Sequence, residues 1–229
     1  MALARLVAAA RRPLTVLLLT AAERQKLDPS DDALFYAQPR FVHHLDAAFR
    51  ARLTQLYRER IPPGAVVLDL MSSWVSHLPP EGRYGEVIGH GLNARELEAN
   101  PRLDRHWVQN LNQEQGLPLA EASVDRALIV AGWQSLQAPE AVAAELRRVV
   151  RPGGELIVSF SNRMFPQKAA RIWMEGSDTD HLAYVRRVLE AQGWAVPLEI
   201  QETTRAAGPL GWIGAQGDPF LAVVALRPA

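Results

Sequence analysis

The sequence predicts an α/β domain in three layers, helices over a mostly parallel sheet, with an antiparallel strand pair at its C-terminal end. Three observations predict it. Residues 65–70 (AVVLDL) form a short apolar run with β-branched Val66 and Val67, as a strand buried on both faces requires. Through the middle of the chain, such runs alternate with helix-period segments, the pattern of a parallel sheet with right-handed crossovers. The last two predicted strands have no helix between them, so they pair antiparallel. At 229 residues, the chain is long enough for one such domain with a full core.

Taken in order, residues 1–22 carry Arg5, Arg11 and Arg12 ahead of an apolar run at 14–19, with Pro13 at a helix-start position. A basic flank and an apolar run outline a targeting segment, but this run is too short to span a bilayer. Three readings compete: a helix lying on the domain or on a membrane surface, a targeting segment, and a disordered tail. The helix packed on the domain is preferred, with peripheral membrane contact as its variant. The rest of the chain shows no other candidate membrane segment and reads as cytoplasmic. Residues 27–40 are polar and Pro-punctuated, a loop with one helical turn carrying Phe35 and Tyr36.

Residues 40–60 predict a helix, because Phe41, Val42, Leu45, Phe49, Leu53, Leu56 and Tyr57 recur at three- and four-residue steps. His43 and His44 then flank that stripe on its outward side. The Pro62-Pro63-Gly64 break leads into the central strand, near whose end stands Asp69. Two serines follow, then an expected short helix at 74–78 stopped by Pro79-Pro80. A strand, a tight turn and a helix start make a natural cofactor site, since backbone N–H groups converge there.

Further strands are predicted at 84–90, 106–111, 123–131 and 155–160. A helix at 93–100 has Asn93 as N-cap. Another at 139–150 opens on Pro139. Arg151-Pro152-Gly153-Gly154 reads as a sharp turn. Helices are expected at 165–174 and at 179–192, the latter led by Asp178 and ended by Gly193. The final strands fall at 194–202 and 219–226, joined by a Gly-rich loop at 203–218. Residues 1–60 thus form an N-terminal helical extension and cap, and 61–229 the main domain.

Composition removes several functions. Lys plus Arg number 25 and Asp plus Glu 25, so no global charge favours nucleic acid or an anionic membrane. Cysteine is absent, which excludes disulfides, thiolate metal sites and a cysteine nucleophile. The six histidines are scattered, and only His43 and His44 adjoin, so no protein-bound catalytic metal is expected. A dinucleotide dehydrogenase would want G-x-G-x-x-G after the first strand, and it is not there.

Three stretches carry a family likeness. VVLDL at 66–70 resembles the first motif strand of class I S-adenosylmethionine (SAM)-dependent methyltransferases. LPLAEASVDRALIV at 117–130 is similar to their LPF-x-D-x-S-FD segment. ELRRVVRPGG at 145–154 is similar to their E-x-x-RVL-x-PGG turn. The resemblance covers about 61–160, and the later helix and strand pair extend it to the C-terminus. It implies a single Rossmann-like methyltransferase domain on a seven-stranded sheet, methyltransferase type 11-like, with SAM as cofactor. The methyl acceptor, a small molecule or a protein, stays unidentified.

The likeness has gaps. The family's D-x-G-x-G-x-G reads Asp69-Leu70-Met71-Ser72-Ser73-Trp74-Val75 here, so all three glycine positions hold other residues. The acidic residue expected after strand two falls near Gly91, and the one after strand three is replaced by Asn110 and Asn112. One explanation is SAM bound in altered geometry. DLMSSWVSHLP and SNRMFPQKAARIW are dense in polar residues, and the chain resembles a methyltransferase-like subgroup with this pair of stretches. The other is a non-catalytic binding or assembly module that has lost its cofactor. The enzyme reading is preferred.

The resemblance, with the rule that ligands lie at the carboxyl ends of the strands, then implies the site. Asp69, Ser72 and Ser73 lie by the methionine part of SAM, with Met71 and His77 also among the cofactor-binding residues, Gly91, Leu92 and Asn93 by the ribose, and Asn110, Leu111 and Asn112 by the adenine. Gly132 and Trp133 border the transfer zone, and Asn162 and Arg163 line the acceptor side. Tyr36 and His44 are the catalytic candidates, closing the cleft from the N-terminal helix.

Overall fold

The computed structural model describes residues 15–205 and 216–229. Arg5, Arg11, Arg12 and Pro13, and most of the Gly-rich loop at 203–218, lie outside the described residues. One seven-stranded sheet runs β3-β2-β1-β4-β5-β7-β6. Its strands are β1 (Val66–Leu70), β2 (Glu86–Gly91), β3 (Arg105–Val108), β4 (Val124–Val130), β5 (Val150–Phe160), β6 (Ala195–Glu202) and β7 (Phe220–Leu226). β1 is central, parallel to β2 and β4. β7 runs antiparallel to both β5 and β6, so it lies inside the sheet and β6 forms the edge.

Alternation along the strands supplies two cores. Leu68 and Leu70 pack toward α4 (Pro139–Val149) and α6 (Asp178–Ala191), with Val142, Leu146, Val185 and Leu189. Val67 packs on the opposite face against α2 (Ala47–Arg60), with Phe49, Leu53, Leu56 and Tyr57. The remaining helices are short: α1 (Asp32–Phe35), α3 (Ala94–Glu98) and α5 (Arg171–Met174). Among the described residues, no helix is long and apolar enough to cross a membrane.

Several expected elements change, each for a local reason. The described part of the N-terminal segment packs on the domain, but not as a helix. Val16 exchanges two hydrogen bonds with the Gln192 amide, and the N–H groups of Leu18 and Leu19 both donate to buried Glu140 at 2.9 Å. Donors committed sideways cannot build an i→i−4 ladder. The helix expected from residue 40 begins at Ala47, because Asp46 caps it by accepting from Phe49 N at 2.8 Å. His43 and His44 therefore sit on irregular chain, and Phe41 and Val42 are about half exposed, at 50% and 55%.

The expected 165–174 helix shrinks to α5, and α6 is capped by Ser177 in a reciprocal box with Asp180, one residue before the expected Asp178. The RPGG residues are not a turn between elements. Val124 faces Val150 while Arg126 faces Glu155, so RPGG loops out within β5. Gly153 takes φ +77° there, a conformation glycine adopts freely.

Candidate active site

A cavity of about 590 Å³ opens at the carboxyl ends of β1, β2, β4 and β5, within the size range of small-molecule sites. The segment after β1 forms its floor, and no helix follows that strand. Its donors go elsewhere. Met71 N reaches His90 Nδ1 at 3.2 Å and Ser72 N reaches the His90 carbonyl at 2.6 Å. The Ser72 and Ser76 hydroxyls both donate to Asp69 Oδ2, and Asn100 Nδ2 ties down Ser73 O and Ser76 Oγ. Short polar side chains thus give this stretch an alternative to the helix expected at 74–78.

Met71 stands where the family's first glycine would, and its φ is +59°. Glycine adopts such a left-handed backbone freely, and Met71 holds it at a strain of about 1–2 kcal/mol. A Cβ at Gly132 would lie 2.9 Å from Met71 Cβ and Sδ, so Gly132 makes room for the methionine. A Cβ at Gly91 would lie 2.5 Å from Ser72 O, so that residue must stay small. Burial pushes the Asp69 carboxyl up to about 6, against the two serine hydroxyls that favour its ionised form. Burial pushes His90 down to about 4. Neutral His90 accepts from Met71 N and donates from Nε2 to the Gln109 carbonyl at 2.9 Å.

The cavity wall brings together nearly all the residues expected there. Asp69, Met71, Ser72, Ser73, His77, Gly91, Leu92, Asn93, Asn110, Leu111, Asn112 and Gly132 line it, as do Tyr36, His44, Asn162 and Arg163. Trp133 does not: it is 1% exposed and packs in the core among the α4 and α6 side chains. Its backbone turns inward after Gly132, so the indole is structural.

Geometry also changes what several of these residues can offer. Asn112 donates both amide hydrogens, to Asp32 Oδ2 at 2.7 Å and Ser135 O at 2.9 Å, and its oxygen accepts from Gln137 N. Asn110 donates to Asp31 and accepts from Asn112 N. Both donors of Asn112 are used, so its side chain ties the chain around α1 to the sheet and has no donor left for a base edge. Asn93 caps α3 and holds the carbonyls of Tyr36 and Ala37. Arg163 Nε lies 2.7 Å from both carboxylate oxygens of Asp218, so one edge of its guanidinium is paired within the protein.

Sequence reasoning missed Glu96, Arg40 and Arg50, all on the cavity wall. Glu96 follows N-cap Asn93 by three residues, a spacing that suggests a capping box. Its carboxylate instead accepts from Ser73 Oγ and from Arg40 N at 2.7 Å, and it is the one cavity carboxylate on the β2 side. The Arg40 guanidinium lies over the rings of Phe35, Tyr36 and Phe165 at 4.7–5.5 Å, with Nη1 buried and unpartnered. Burial pushes the Tyr36 phenol up to about 12, so it stays protonated. Burial and then Arg40 lower His44, which is neutral at pH 7 and able to accept a proton.

This fold is that of a doubly wound α/β domain, with a cleft for a small molecule at the carboxyl edge of its sheet. The family described as a methyltransferase domain matches residues 73–158. By fold and motif the chain is similar to class I SAM-dependent methyltransferases, and the family match covers less than half of its length.

A demethylmenaquinone methyltransferase of Parafrankia sp. (strain EAN1pec) is 31% identical over 127 residues, which is 49% of this chain and 49% of that protein. A methyltransferase of Mycobacterium sp. (strain JLS) is 29% identical over 137 residues, 59% of this chain and 53% of that one. The chain thus spans about half the length of these relatives. A SAM-dependent methyltransferase from Aquifex aeolicus superposes with a TM-score of 0.52 at 17% identity, over 80% of this chain and 91% of that one. Another from Thermotoga maritima gives 0.55 at 17%, over 79% and 91%. A chain of the complex between the Haloferax volcanii Trm112 activator and a methyltransferase gives 0.57 at 14%, over 79% and 89%. At these identities the structures share the fold.

Proposed function

We propose that the chain is a SAM-dependent methyltransferase acting on a small acceptor that enters the β4–β5 side of the cleft. The observation that carries the reading is Met71. A left-handed residue in a packed loop is a strain that a merely structural turn could shed by substitution to glycine. Here it holds Ser72 and Ser73 on the floor of a ligand-sized cavity.

In this reading Asp69, Ser72 and Ser73 face the methionine part of the cofactor. Glu96 takes the role of the missing ribose carboxylate, because two hydrogen bonds leave lone pairs free on its oxygens. Gly91, Leu92 and Asn93 form the ribose wall. Leu111 and the backbone at 110–112 face the adenine, since the asparagine side chains are committed to the protein. When bound, SAM supplies a methyl group already activated on a sulfonium, so positioning and exclusion of water carry most of the catalysis. His44 accepts the proton of an acceptor hydroxyl or amine, and protonated Tyr36 orients the acceptor by donating to it.

Calorimetric titration with SAM and with S-adenosylhomocysteine tests this. Micromolar binding of both is expected, weakened roughly tenfold or more by Glu96→Ala, the loss of hydrogen bonds to a charged group. No binding to a chain that melts cooperatively would assign the fold to a non-catalytic module. With an acceptor in hand, His44→Ala lowers turnover roughly a hundredfold and leaves cofactor affinity unchanged. Undiminished turnover would remove His44 from the chemistry.

A further inference from the structure

The basic groups on the cavity wall are not all used. Lys168 is closed by Asp28 and Ser30, and Arg163 pairs through Nε with Asp218, its side chain 58% exposed. Arg50, in the first turn of α2, donates Nε to the Asp46 carbonyl at 3.3 Å, and among the described residues its two terminal nitrogens make no hydrogen bond or ion pair. Among the described residues, the carboxylates nearby make no ion pair with it. Asp46 and Asp218 bind each other's backbone N–H at 2.8 and 2.7 Å, Asp46 also caps α2, and Asp218 holds Arg163. His77 lies beside Arg50 on the same wall, with no hydrogen bond to its ring among the described residues, and the His43 ring lies against Trp74 at 4.8 Å, tilted by 32°.

We propose that Arg50, with His43 and His77, forms an anion-binding subsite that takes a carboxylate of the methyl acceptor, an acid with an apolar body. The assignment rests on the methyltransferase reading above. A guanidinium with an open fork is the side chain best shaped for a carboxylate. Burial and Arg50 hold His77 down at about 4, so its ring is neutral and offers one N–H to the same group. The apolar body has its own wall in Val42, Trp74, Met164 and Phe165. Phe41 and Val42, half exposed beside Trp74, mark the entrance.

Placement separates this subsite from the nucleoside. Asp46 and Asp218 tie Arg50 to the end of β7, beyond β5 in the sheet. Glu96 and Asn110 stand at β2 and β3 on the other side of β1. At about 4.8 Å per strand, β5 lies roughly 10 Å from β1. The cofactor's own methionine carboxylate is the other source of the same chemistry, and the experiment distinguishes the two.

The full chain is titrated calorimetrically with 1-naphthoate, with its neutral amide 1-naphthamide, and separately with S-adenosylhomocysteine. The acid binds about tenfold more tightly than the amide, the scale of one charge-assisted hydrogen-bonded pair. Arg50→Gln abolishes that preference and Arg50→Lys keeps most of it, while S-adenosylhomocysteine binds all three proteins equally. Equal binding of acid and amide, no binding of either, or a preference surviving Arg50→Gln overturns the subsite. Loss of S-adenosylhomocysteine affinity in Arg50→Gln assigns the arginine to the cofactor and overturns the acceptor assignment. If the unaltered chain binds no S-adenosylhomocysteine, the methyltransferase reading itself fails.

Discussion

The two ends of the cavity use similar chemistry to opposite purposes. At the β2–β3 end, polar side chains are dense and committed. Asn93, Asn110 and Asn112 each bridge the sheet to the chain around α1, and their amides are occupied by protein. At the α2 end polar groups are fewer, and among the described residues the Arg50 terminal nitrogens and the His77 ring have no hydrogen-bond partner at the cavity wall. Density of polar residues in a sequence marks structure as readily as function. What separates them is whether each donor and acceptor already has a partner.

That contrast can be broken at graded cost. Trp133→Ala is the largest expected effect, a loss of about 3–5 kcal/mol in urea denaturation, because a fully buried indole is removed from the core. A small loss would return Trp133 to the cavity wall. Asp69 comes next. Its folded pKa of about 6 lies above the ordinary 3.8, so between those values the folded state holds the proton more tightly. Its contribution, of order 3 kcal/mol, is present below pH 4 and lost as pH rises toward 6. His90 acts in the opposite sense. With its pKa depressed from 6.5 to about 4, its contribution is present above pH 6.5 and lost as pH falls through 4. Asp69→Asn should therefore make stability climb more steeply between pH 4 and 6. An unchanged slope in denaturation curves across that range would show that Asp69 does not titrate there.

Smaller effects test the ends directly. Asn112→Ala should cost about 1–3 kcal/mol, since Asp32, Ser135 and Gln137 all lose a partner. Arg50→Gln should change stability by less than about 0.5 kcal/mol, as removal of one long Nε bond from a half-buried residue would. A reversed order, with Arg50 the costlier loss, would mean that the two ends are not divided between scaffold and site.

The strands were legible in the sequence because Val66–Leu70 and Val124–Val130 carry apolar runs that only a buried sheet accommodates. Helix boundaries were less so. Phe41 and Val42 continue the apolar spacing of α2, yet Asp46 starts the helix after them, and a capping bond outweighs periodicity at a terminus. The loop after β1 reads as helix in isolation, and only the distant His90 and Asn100 show why it is not. The position of the cavity was legible for the same reason as the strands, since it follows from their carboxyl ends. The roles within it were not, because an asparagine's sequence context does not reveal what its amide already binds. Glu96 was hidden inside a spacing that suggests ordinary capping.

The internal position of β7 has a consequence for assembly. β6 hydrogen-bonds to no strand except β7, yet precedes it in the chain. Without Phe220–Leu226 in place, the β6 strand has no link to the rest of the sheet and the apolar row of β5 is uncovered. The pairing of β5 with β7 spans about sixty residues of chain, and non-local pairing of that kind slows folding. Until it forms, the open β5 edge is a place for mispairing between molecules.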